Sequence, residues 1–209
     1  MKKRPNFIGF IGLGLIGGSI AKAIRHFHPE IQIVATSGKK ETVELALSEH
    51  LIDEGCYEVD DAFAKCDYIF LCAPVSFNAK YLEDLKSVIK EDCVITDVGS
   101  TKTDIHKRVI ELGMEKNFIG GHPMAGSEKS GFVNSKPVLI ENAYYIITPT
   151  KETTSKQTDD FYALVKELGS IPLVLDYEAH DYATASISHL PHMIAYTLVN
   201  LVKDIDDEN

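Results

Sequence analysis

No two cysteines of this chain stand in a CxxC pair. The four thiols, Cys56, Cys66, Cys72 and Cys93, fall at intervals of ten, six and twenty-one residues, so the spacing holds neither a redox dithiol nor a zinc knuckle. Eight histidines are present, yet none stands in an HExxH or comparable ligand spacing, and no metal is expected. Basic charge is scarce as well: 21 Lys and Arg face 31 Asp and Glu, a formal net charge of −10. Gripping phosphates takes clustered cations, so nucleic acid is excluded as a partner. No run of 18 apolar residues occurs, and no membrane span is expected. The opening MKKRPNFIGFIGLGLIGGSIA has the basic start and apolar run of a secretory leader, but glycines at 9, 12, 14, 17 and 18 would weaken its helix. Cys72 and Cys93 lie in apolar, strand-like runs and read as core thiols, which points to a reducing, cytoplasmic location.

What the chain does have is alternation. Its 209 residues, 44% hydrophobic, suffice to close one core and begin a second. Short Val- and Ile-rich runs at 6–12, 31–37, 68–74, 93–99, 117–122, 143–149 and 171–176 read as strands. Between them LIGGSIAKAIRHF, ETVELALSEHL, AKYLEDLKSVI, KTDIHKRVIELG and TDDFYALVKELG carry apolar residues three and four apart, the helical period, and Gly113 and Gly169 mark two helix ends. Such alternation predicts an α/β fold, a doubly wound and mostly parallel sheet with helices on both faces. After residue 176 the strands stop. Residues 180–203 read as helix, kinked or restarted at Pro191. The expected organisation is one domain over 1–176 and the opening of an all-helical domain over 177–209.

The first strand runs into Gly12-Leu13-Gly14-Leu15-Ile16-Gly17, a GxGxxG turn that opens a helix. In that setting the turn is the dinucleotide fingerprint of a Rossmann-like sheet. Gly12 lets the chain turn, Gly14 leaves room for a pyrophosphate, Gly17 lets the helix pack close, and the phosphates rest on backbone N–H groups at the helix start. An Asp or Glu at the end of the second strand would bind ribose hydroxyls; here Ser37 is followed by Gly38, Lys39 and Lys40. A hydroxyl and two lysines suit a 2′-phosphate, so the expected cofactor is NAD(P), with NADP favoured over NAD. Ala73 and Pro74, closing the third long strand, are expected against the cofactor.

Three blocks carry chemistry: DVGSTK (97–102), GGHPMAGSEKSG (120–131) and HDYATASISHLPH (180–192), the last with three histidines in thirteen residues. With the GLGLIGGS opening and LIDEG (51–55), they make the chain resemble the prephenate and arogenate dehydrogenases of tyrosine biosynthesis. The resemblance implies oxidative decarboxylation of prephenate to 4-hydroxyphenylpyruvate, with hydride transfer to NAD(P)+. It makes His122 the general base toward the ring hydroxyl, a task for which an unperturbed pKa of about 6.5 is suited, and Ser100 the hydroxyl that orients it. The glycines before His122 would leave room for cofactor and ring. His192 would contact substrate, Glu128 and Asp181 would stand at the pocket mouth, and Ser188 and His189 are further candidates in the same block. No role falls to Lys102 or Lys129.

The resemblance also implies a longer helical domain that forms a homodimer and supplies an arginine clamp for the ring carboxylate. This chain reaches only into the first helix of such a domain, so weak turnover is expected of it. Two alternatives stay open, an arogenate dehydrogenase and a nucleotide-binding fragment without catalysis. A β-hydroxyacid dehydrogenase is disfavoured, because it would need a lysine where SHLPH stands.

Overall fold

The computed structural model describes residues 4–207. In chain order the elements are β1 (Phe7–Ile11), α1 (Leu15–Phe27), β2 (Gln32–Thr36), α2 (Lys40–Ser48), β3 (Glu54–Cys56), β4 (Tyr68–Leu71), α3 (Val75–Lys86), β5 (Val94–Asp97), α4 (Thr103–Leu112), β6 (Ile119–Pro123), β7 (Tyr144–Pro149), α5 (Ser155–Glu167), β8 (Ile171–Val174), α6 (Tyr177–Thr184) and α7 (Leu190–Asp207). Each strand expected from the sequence is present. The addition is β3, which pairs with β2 through only three residues, too short to stand out as a pattern. Its Gly55 lies so close to α2 that a Cβ would strike Val43.

The first five strands form a parallel sheet in the order β3-β2-β1-β4-β5. The chain leaves β1 toward β2 and β3, then returns to β4 on the other side, so the order reverses between β1 and β4. Ligands of open α/β sheets lie in the crevice at that switch point, outside the carboxyl ends of the strands. Two apolar clusters cover the two faces. One gathers Phe10, Phe70 and Ile24 with Phe161 of α5; the other gathers Ile11 and Ile95 with Leu82 of α3 and Val109 of α4. Residues 10 and 11 point to opposite faces, as the pleat requires, and both faces are filled, which is why these strands read as unbroken apolar runs.

The remaining strands form a second sheet, β6-β7-β8, joined to the first by a single parallel bridge between Ile95 and Phe118. Here β6 runs antiparallel to β7, while β7 and β8 are parallel. A parallel pair needs a crossover, usually a helix. Residues 124–143 supply only loop and short 3-10 turns, so the chain doubles back instead. The expected helix ends are where glycine was read: Gly113 closes α4 at φ +66°, and Gly169 follows α5 at φ +86°.

Beyond β8, Pro191 neither breaks the helix nor starts it afresh. A proline ring would strike the carbonyl four residues back, and the chain widens into a π turn over Ala185–His189 that absorbs it. Helix α7 then continues with Ile194, Tyr196, Leu198, Val199, Leu201 and Val202 all exposed.

Candidate active site

The glycine turn behaves as its three positions require. Gly12 has φ +101°, and a Cβ there would lie 2.8 Å from the backbone of Cys72 and Ala73. Its N–H donates to the Thr36 carbonyl at 2.8 Å, tying the turn to the end of β2. Gly17 is buried, and a Cβ on it would come within 2.8 Å of Cys72 Cβ, so α1 rests directly on β4's end. Around Gly14 a Cβ would meet nothing within 4 Å. That open side faces a groove of about 830 Å3, within the usual range for small-molecule and cofactor sites. Leu13, Ser37, Gly38 and Lys39 line one side of it and Ala73, Pro74 and Phe77 another. Three expected members lie elsewhere. Ile16 packs on the core, Leu15 lines a separate hollow, and the Lys40 ammonium rests over the Tyr57 ring, 4.8 Å from its centroid.

His122 ends up at the carboxyl side of β6, only 8% exposed. Its Nδ1 is 2.8 Å from Nε2 of His180, and Nδ1 of His180 is 2.8 Å from Oδ1 of Asp181. Asp181 also accepts the Lys102 N–H at 2.7 Å and the Thr103 N–H at 2.8 Å, so it caps α4 from another helix. Burial works against its charge, but these hydrogen bonds outweigh burial and hold the carboxyl at about 2. His122 is pushed down to about 4, first by burial and then by the neighbouring His180, Lys102 and His189; it is neutral at working pH. The three residues form a file from a fixed anion, through one imidazole, to another.

Beneath His122 lies a buried polar layer that sequence reading left without a role. The Lys102 side chain is fully buried and bonds Asp97 Oδ2. Asp97 also accepts from Gly99 N at 2.9 Å and Gly121 N at 3.1 Å, holding β5, the turn after it and β6 together. The glycines before His122 make room for this layer. A Cβ on Gly121 would lie 2.6 Å from the Asp97 carbonyl and 2.9 Å from the Tyr145 hydroxyl; one on Gly120 would lie 2.8 Å from His106 Nε2.

Several expected neighbours of His122 stand apart from it. Ser100 is exposed on the loop after β5, and the partner of His122 Nδ1 is His180. Asp181 is engaged with the start of α4 and with His180. Glu128 is exposed, accepts from Ser127 Oγ at 3.1 Å and lines a hollow of about 230 Å3 with Leu15, Lys129 and Lys136. His192 is exposed on α7 and donates from Nδ1 to the Ser188 carbonyl at 2.8 Å. Ser188 lies in the π turn, partly exposed, and His189 is near enough for its charge to be felt at His122. His180, Asp97 and Lys102 are the residues that reading missed; the signal was their place inside the quoted blocks. The chain's three arginines are engaged elsewhere, Arg4 with Glu30, Arg25 with Asp53 and Arg108 with Glu83 and Glu111. Among the described residues no group of three or more His, Cys, Asp or Glu side chains is placed to hold a metal.

A five-stranded parallel sheet with a glycine turn at its switch point and an open groove beside it defines a Rossmann-type nucleotide-binding domain. Comparison with known proteins agrees: residues 20–172 match the family model for the nucleotide-binding domain of prephenate dehydrogenase, and residues 176–209 match that for its dimerization domain. The chain belongs to the prephenate dehydrogenase family. It is 39% identical over 192 residues to the prephenate dehydrogenase of Lactococcus lactis, covering 90% of this chain and 52% of the relative. With the Bacillus subtilis prephenate dehydrogenase it shares 37% over 202 residues, 96% of this chain and 54% of the other. The chain thus spans about half the length of these relatives. Among solved structures, that of prephenate dehydrogenase from Aquifex aeolicus in complex with hydroxyphenyl propionate and NAD+ superposes with a TM-score of 0.89 at 31% identity, over 96% of this chain and 70% of that one. Synechocystis arogenate dehydrogenase gives 0.85 at 33% identity, over 93% and 68%.

Proposed function

We propose that this chain carries the dinucleotide site and the proton acceptor of a prephenate dehydrogenase, which converts prephenate to 4-hydroxyphenylpyruvate and CO2. The observation that carries the reading is the pairing of the open Gly14 groove with a buried, neutral His122, in a chain whose Aquifex relative was solved with NAD+ and hydroxyphenyl propionate. The groove's glycine turn and its volume fit a dinucleotide, whose nicotinamide would supply the hydride acceptor. His122 Nε2 takes the hydroxyl proton as hydride leaves the same carbon. The ring then gives up its carboxylate as CO2, the electrons of that bond make the ring aromatic, and His122 returns the proton to the phenolate oxygen.

The reading extends to cofactor choice and assembly. Ser37 and Lys39 line the groove where a carboxylate would disfavour a 2′-phosphate, which supports NADP over NAD. A homodimer through the helical segment is supported by the family model over 176–209 and by the exposed apolar side chains of α7. A cytoplasmic location fits four free thiols, three of them buried; no described helix is long and apolar enough to cross a membrane. Fluorescence titration with NADPH and NADH, followed by absorbance assays with prephenate and with arogenate, tests all but the last two. NADPH is expected to bind more tightly, and Ser37→Asp to reverse the order; absence of binding by either dinucleotide would overturn the reading.

A further inference from the structure

We infer that Asp181 and His180 are positioning residues which fix, through two imidazole rings in series, the nitrogen of His122 that carries its proton. The inference deepens the proposed role of His122 and rests on it. The Asp181 carboxylate faces the hydroxyl and backbone N–H of Thr103, the backbone N–H of Lys102 and the ring Nδ1 of His180. An ionised carboxylate only accepts, so at 2.8 Å His180 Nδ1 must be the donor. A neutral imidazole has one N–H, and with that proton on Nδ1 the His180 Nε2 is a bare lone pair. It stands 2.8 Å from His122 Nδ1 and 3.4 Å from the Thr184 hydroxyl, and the shorter contact makes His122 Nδ1 its main donor. His122 Nε2 is left without a proton, the form a general base needs.

Burial makes this order binding. His180 is 1% exposed, and between two buried rings a reversed proton would leave two lone pairs facing each other with no water to intervene. The surrounding charges give the file a second effect. His180 itself, then Lys102 just before α4 and His189 from the π turn oppose a proton on His122, while Asp181 on α6 favours it. When Nε2 gains a proton, the new cation lies at one end of a hydrogen-bonded file whose other end is an anion. The arrangement repeats, with one ring more, the logic by which a buried aspartate fixes a catalytic histidine's tautomer.

Long-range proton–nitrogen NMR on the chain labelled with 15N-histidine, in mildly alkaline buffer, reads the tautomers without substrate. The expected result is an N–H at Nδ1 of both His122 and His180. An N–H at Nε2 of His122, or a mixture of the two forms, would overturn the inference. In His180→Leu the His122 ring is expected to become a mixture, whereas His180→Gln, whose amide oxygen can accept the same bond, keeps the proton at Nδ1. Should His180→Leu fail to fold, the wild-type spectrum and His180→Gln still decide. With prephenate, His180→Leu should lower kcat by roughly the 10²-fold share of a general base and leave KM and dinucleotide affinity nearly unchanged; an equal loss in KM would mark a merely structural residue. The two readings fail separately: fixed tautomers in a chain that binds no dinucleotide would sink the proposed function alone.

Discussion

Glycine does two different jobs in this chain, and alanine substitutions separate them. At Gly14 a methyl group meets nothing within 4 Å of the protein but occupies the groove. Gly14→Ala is therefore expected to leave the urea midpoint unchanged and weaken dinucleotide binding in a fluorescence titration. At Gly121 the same methyl group would press on the Asp97 carbonyl and the Tyr145 hydroxyl. Gly121→Ala should cost about 1–3 kcal/mol of stability, the usual penalty of overpacking, read as a lower urea midpoint at constant slope. Both glycines belong to quoted motifs, but only the first was legible, because its role lies within one turn. The role of Gly121 depends on β5 and β7 passing beside it, and that of His180 on a partner 58 residues away. The partner of His122 Nδ1 was hidden for the same reason, since His180 meets it only once the chain has folded.

At the level of elements, alternation of strand and helix revealed four of the first sheet's five strands to within a few residues, since buried parallel strands leave uninterrupted apolar runs; the three-residue β3 leaves none. Direction was not legible for β6 and β7, because a strand's sequence is the same whichever way its neighbour runs. Helix α4 shows a related limit. Its first N–H groups are satisfied by Asp181 of α6, so its cap cannot be found among its own preceding residues. Acid should expose these tertiary links in two stages. His106, packed between Phe118 and Tyr177, is held near 4 by burial, with Asp97 opposing, and His122 is likewise near 4. An unfolded histidine titrates near about 6.5, so the unfolded chain binds the extra protons between about 6.5 and 4. Stability is full above that window and falls as pH drops through it. Asp181 adds a second loss, full stability above its usual 3.8 giving way as pH falls through about 2. Urea midpoints measured from about pH 7.5 to about pH 3 should decline in both windows; a flat profile between 6.5 and 4 would mean that the two histidines are not buried in neutral form.

For the whole molecule, α7 presents apolar side chains around its circumference, the pattern of a helix made to be covered. The chain is expected to self-associate through it. Light scattering should report a mass that rises with concentration, and a double substitution on one face, Leu198→Glu with Val202→Glu, should hold it at the monomer. A wild-type mass fixed at that of the monomer would count against the proposed homodimer.

One contact changes what counts as a unit here. The two family models meet between residues 172 and 176, and the strand pattern stops at the same place. Yet Asp181, beyond that seam, stops the open end of α4 and steadies the imidazole pair. A chain cut at 176 would keep its whole parallel sheet and lose the cap of one helix and the partner of His122. The proposed nucleotide groove and the proposed setting of the base therefore lie on opposite sides of the seam, and a foreign second half would have to supply both the cap and the imidazole.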